Sequence, residues 1–201
     1  MADAKKGDKP KIPEVVDKYN KLSDQIDEIL DTMELHHAQA YTSAADTLLR
    51  DKKKDEKTGK ETIGKRIKYS MLKDSKVREQ FTNHMADFYI GKAKEFFSSK
   101  LDPKDAIENE MLMNAYAGIT RSGLRDQIEE HQHNFKYRHF TTKLAPSLYE
   151  NVAKTIRPSA HAHIKDTDIE TILEHIGAID LVHKDRVNRG EAINLLGVHK
   201  A

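Results

Sequence analysis

The stretch "PEVVDKYNKLSDQIDEILDTMELHHAQAYTSAADTL", residues 13–48, decides the fold class. Within it Val16, Tyr19, Leu22, Ile26, Ile29, Met33, His37, Ala40, Ala44 and Leu48 recur at alternating steps of three and four. That spacing returns side chains to one face of an α-helix, so the stretch predicts a sustained heptad-type seam. Pro13 suits a first helical turn, where its missing N–H costs nothing. Acids crowd the first half (Glu14, Asp17, Asp24, Asp27, Glu28, Asp31, Glu34) and lysines follow the end, both in the sense of the helix dipole. One long helix over 13–50 follows.

Outward from this seam the pattern changes to DKKKDEKTGKETIGKRIKYSMLKDS, residues 51–75. Eight Lys or Arg face three acids between Lys52 and Lys68, and two glycines interrupt the run. It reads as a long loop with a weak extended stretch at Thr62–Tyr69. Val77, Phe81, Met85, Phe88, Phe96 and Phe97 then predict a helix over 75–99. Asp102-Pro103 marks a turn and the start of a third helix over 103–120, with Ile107, Met111, Met113, Tyr116 and Ile119 inward. Ser122-Gly123 either separates a fourth helix over 123–143 or kinks one longer rod. Pro146 and Pro158 bracket a short amphipathic helix, and Thr167 or Asp168, Gly177 and Gly190 punctuate three more.

The fold class is therefore all-α: three to four long antiparallel helices in a bundle, followed by a small C-terminal cluster of short helices. Residues 1–11 read as a disordered tail. Residues 12–145 read as the bundle, with its lysine-rich loop at 51–74, and 146–201 as a small helical subdomain. A charged fraction of 33% and an aromatic fraction of 6% fit long amphipathic helices.

Composition also removes function classes. Cysteine is absent, which excludes disulfide scaffolds, thiol nucleophiles and thiolate metal sites. A net charge of +1 does not select a polyanionic partner by global electrostatics. The first residues, MADAKKGDKPKIP, hold no apolar signal core, and no apolar run approaches the roughly 18 residues that span a bilayer. The expectation is a cytoplasmic protein without membrane insertion. Gly-x-Ser-x-Gly, Walker-type and Gly-x-Gly-x-x-Gly motifs are all missing, so an enzyme is not the favoured reading and no cofactor is indicated.

Two Glu-x-x-His motifs, Glu34 with His37 and Glu130 with His133, suggest a ferritin-like di-metal carboxylate site, because residues three apart share a helix face. With fifteen Glu and eleven His, roughly 0.8 such pairs arise by chance, and the ferritin-like order puts a lone-Glu helix first. His161-Ala162-His163 lacks a further ligand nearby. Lys52, Lys53, Lys54, Lys65, Arg66 and Lys68 are candidate contacts to phosphate, and Lys136, Tyr137, Arg138, His139 and Lys143 add interleaved cations. The leading expectation is a non-catalytic interaction or assembly protein, self-associating or binding a protein through Leu22, Ile26, Ile29, Met33 and His37. A di-metal oxidase or oxygenase and a nucleic-acid-binding protein are the alternatives. His37 and His131 are the histidines best placed to make stability pH-dependent.

Overall fold

The structure is a computed structural model that describes residues 11–98, 106–161 and 171. The expected tail before Lys11 and the expected short helices beyond His161 lie outside the described residues. The described chain is predominantly helical, with one two-stranded antiparallel sheet. It runs α1 (Ile12–Leu35), α2 (His37–Leu48), β1 (Arg50–Lys54), β2 (Glu61–Ile67), a 3-10 turn (Tyr69–Lys73), α3 (Ser75–Ser98) and α4 (Ala106–Glu130). Then follow α5 (Tyr137–His139), a π-helical segment (Phe140–Leu144) and α6 (Ala145–His161). It divides into two compact units, residues 1–28 with 157–201, and residues 29–156.

In the first unit α1 opens on a half capping box. The Lys11 amide donates to the Glu14 carboxylate at 3.2 Å, and the Lys11 carbonyl accepts the first helical bond from Val15. Val15, Tyr19 and Ile26 are buried. Arg157 pairs with Asp27 at 2.9 Å, but both side chains are about half exposed, so the pair contributes about 0–1 kcal/mol.

In the second unit the long first helix does not stay unbroken. It parts at His36, with no proline or glycine to cause it. The His36 ring Nδ1–H donates to the Thr32 carbonyl at 2.7 Å, the acceptor that the His36 amide would use in an α-helix. That amide turns instead to Met33, three residues back, and the ladder resumes with Ala40 to His36. The seam residues Ile29, Met33, Ala40 and Ala44 are buried on both sides of the break.

Helix directions follow from the bonds between them. His37 meets Tyr89 and Ser43 meets His84, so α2 and α3 run antiparallel. Arg78 meets Gln132 and Asp87 meets Arg121, so the same holds for α3 and α4. Helix α4 passes through Ser122-Gly123 without a break. Gly123 is there for room: a Cβ on it would meet Leu148 of α6 at 2.9 Å. The chain instead reverses at 131–134, inside EEHQHNFKYRHF, so the expected helix over 123–143 is not formed.

The helix expected between Pro146 and Pro158 forms as α6, with Leu148, Val152 and Ile156 buried, but it runs on through Pro158. Nor does Pro146 mark its boundary. It lies in the first turn of α6, directly after the π-helical segment. A proline cannot donate to the fourth residue back and its ring crowds that carbonyl. The wider π turn loosens the ladder just where Pro146 needs it. Gln127 donates to the Leu144 carbonyl at the end of that turn, at 2.8 Å.

Tyr41 organises the core of this unit. Its ring stacks on Phe135 and Phe140, with centroids 6.0 and 5.4 Å away, and meets the edge of Phe81 at 5.8 Å. Its hydroxyl donates to the Phe135 carbonyl at 2.6 Å. Burial, and then the neighbouring Tyr69 hydroxyl, raise the Tyr41 phenol above its ordinary pKa. Tyr41→Phe keeps the rings but leaves a buried carbonyl without its donor. It should lower stability to urea by about 1–3 kcal/mol. The same change at exposed Tyr137 should stay within about 0.5 kcal/mol, and equal losses would refute the role given to the bond.

Candidate nucleic-acid interface

The lysine-rich segment is a β-hairpin. Its turn is built by Asp55, whose carboxylate accepts the amides of Lys57 at 2.8 Å and Thr58 at 3.2 Å. Those two bonds hold its carboxyl below the usual aspartate pKa. Gly59 closes the turn at φ +66°, in the left-handed region. The strands pair antiparallel with Lys52 opposite Ile63, Lys53 opposite Thr62 and Lys54 opposite Glu61. An irregularity at Asp51 shifts the register before Arg50 pairs with Ile67. Gly64 is held against Asp51 there, since a Cβ would sit 3.2 Å from the Asp51 carbonyl oxygen.

The base of the hairpin is clamped. Arg50 bonds Asp46 at 2.6 Å through Nη2 and donates from Nη1 to the carbonyls of Gly64 and Lys65. Lys68 pairs with Asp51, and its amide donates to the Leu49 carbonyl at 2.7 Å. Above this clamp Lys52, Lys53, Lys57, Lys60, Lys65 and Arg66 are exposed and make no ion pair among the described residues. Over residues 50–68 there are nine Lys or Arg and four Asp or Glu, a local charge of +5 in a chain of +1. Of the six candidate phosphate contacts, Lys52, Lys53, Lys65 and Arg66 stand free, Lys68 is engaged at the base, and Lys54 lies in β1 opposite Glu61.

The other candidate residues fall elsewhere. Ile26, Ile29 and Met33 are at most 2% exposed, and Leu22 and His37 are half-buried, so the seam serves the chain's own core. Glu34, Glu130 and His133 are exposed, while His37 is bonded to Tyr89. Among the described residues no three His, Asp or Glu side chains gather as a metal site would require. His131 is half-buried, with its ring against His139 at 5.6 Å and the Glu130 carboxylate 3.8 Å away. A groove of about 260 Å³ between α3 and α4 is lined by Thr82, Asn83, Arg125 and Glu129, among others. Arg78 at its edge donates to the carbonyls of Leu72 and Lys73, so it serves to fasten the 3-10 turn.

Compared with protein families, curated proteins and solved structures, the chain matches none.

One buried polar cluster has a titratable member. The Tyr89 hydroxyl lies 2.8 Å from Nδ1 of His37, and the His37 ring meets Phe140 edge-on at 6.3 Å. The Tyr116 and Thr120 hydroxyls of α4 are buried, and Tyr116 helps to hold the Tyr89 phenol above its ordinary pKa, after burial. Burial lowers His37 from 6.5 to about 4. The fold therefore favours neutral His37, hydrogen-bonded through Nδ1 to the Tyr89 hydroxyl. Its contribution to stability is complete above pH 6.5 and is lost as pH falls toward 4, because the unfolded chain binds a proton that the folded one refuses. In His37→Asn an amide oxygen takes the Nδ1 position and cannot charge. Thermal melts across this window should show the variant losing less stability than the wild type. Parallel losses would remove His37 as the cause.

Proposed function

We propose that this is a non-catalytic binding protein, in which an antiparallel helical bundle carries a basic β-hairpin that binds nucleic acid through its phosphates. One observation carries the reading: no described residue of the hairpin is buried, yet six of its cations stand exposed and form no ion pair among the described residues. A ribbon that adds nothing to a core is not explained by fold stability, and two strands alone are marginal in water. Loops and hairpins held out by a rigid scaffold are where binding residues concentrate. Like-signed cations on one such element attract the phosphate backbone and displace its counterions. The proposal places the protein in the cytoplasm, with a nucleic acid as partner.

Self-association through the first helix has less support, because Ile26, Ile29 and Met33 would have to leave sites in which they are already buried. Removing them from a core costs about 2–5 kcal/mol each on truncation to Ala, a measure of what exposure would forfeit.

The variant Lys52→Ala/Lys53→Ala/Lys65→Ala/Arg66→Ala should bind a short mixed-sequence DNA more weakly at low salt. Its plot of log affinity against log salt should be shallower by about three to four, one phosphate contact being lost per cation. Fluorescence anisotropy over a salt series reads both. Wild-type binding that ignores salt, or an unchanged slope in the variant, would overturn the reading.

A further inference from the structure

The register of the hairpin sorts its side chains by face. Residues directly opposite in an antiparallel pair share a face, and residues two apart on a strand do too. Ile63 therefore shares a face with Lys52 across the ribbon, and Lys65 follows it in the irregular stretch before Ile67. Lys53 and Thr62 occupy the other face. Ile63 is 62% exposed, an apolar side chain with Lys52 opposite it and Glu61 two residues before it on the same face. Resting on the proposed nucleic-acid function, we propose that the ribbon enters the major groove of duplex DNA with Ile63 toward the base edges, while Lys52 and Lys65 reach the flanking phosphates.

Three features select that partner. A major groove about 12 Å wide admits a two-stranded ribbon, and its thymine methyls offer an apolar contact for a side chain such as Ile63. A single strand is gripped by stacking bases on aromatic rings, and residues 50–68 contain no Phe, Tyr or Trp. Duplex RNA has a major groove too deep and narrow for side chains to read. The clamp of Arg50 and the close seating of Gly64 on Asp51 hold the ribbon on its helix, and the irregularity there increases its twist.

The test compares the full chain on four probes: duplex DNA, its single strand, the same sequence as duplex RNA, and phosphatidylserine-containing vesicles. Duplex DNA should bind most tightly. Ile63→Thr keeps a β-branched side chain but removes the apolar tip, and should weaken duplex DNA about five- to tenfold while leaving the other probes unchanged. Ile63→Val should retain the preference, and circular dichroism with thermal melts should show both variants folded. Salt-dependent binding that is equal for all three nucleic acids, or is unaffected by Ile63→Thr, overturns the groove assignment and leaves the phosphate-binding reading standing. Tighter binding to vesicles than to duplex DNA overturns it in favour of an anionic membrane surface. No salt-dependent nucleic-acid binding at all overturns both.

Discussion

The second unit depends on Tyr41. One side chain on α2 touches Phe81 of α3, Phe135 just beyond the 131–134 turn and Phe140 at the start of the π-helical segment. A tyrosine can do this because its ring is large and apolar while its hydroxyl still satisfies a polar group in the core. Here that group is the Phe135 carbonyl, on a residue outside any helix, where no helical amide takes it. The bond ties α2 to the segment by which the chain comes back after α4. In a chain with few aromatics, concentrating them at one junction gives the helices a specific place to meet, which interchangeable Leu and Ala contacts do not.

Two departures from regular helix meet at that junction. The first helix parts at His36, and the last one widens into a π turn at Phe140–Leu144. His37, the first residue of α2, packs edge-on against Phe140, the first of the π segment. Each irregularity has a local cause, a ring nitrogen competing for a carbonyl in one case and an approaching Pro146 in the other. His37 at this junction also bonds the buried Tyr89. Polar groups in such a place carry large electrostatic consequences, because little water is present to screen them.

The hairpin follows a different logic. It is held at its base by backbone bonds and by the Arg50 fork, and its sides face solvent. Lysines on an exposed ribbon also discourage edge-to-edge pairing with other chains, but that purpose is served by charge of either sign. The excess of one sign over residues 50–68, in an otherwise acidic chain, is what an anionic partner explains. Under the proposed function, helical core and basic ribbon divide the work: burial supplies stability, and exposed charge supplies contact.

The sequence by itself determined that the chain is mainly helical, because the three-and-four recurrence from Val16 to Leu48 has no strand interpretation. It also located the basic segment and its extended part around Thr62. It did not show β1, since Arg50–Lys54 is a run of charge without alternation and lysine has poor strand propensity. The break at His36, the passage of α4 through Ser122-Gly123 and the helix across Pro146 all ran against local signals. The break and the π turn come from competition between neighbouring groups that periodicity does not register, a ring on a carbonyl and a proline after a widened turn, while at Gly123 a side chain would meet Leu148. Tertiary structure alone decided the fate of the seam as well. Periodicity says that Ile26, Ile29 and Met33 share a face, but only packing says whether a partner or the chain itself covers it, because burial depends on what the rest of the chain brings to that face.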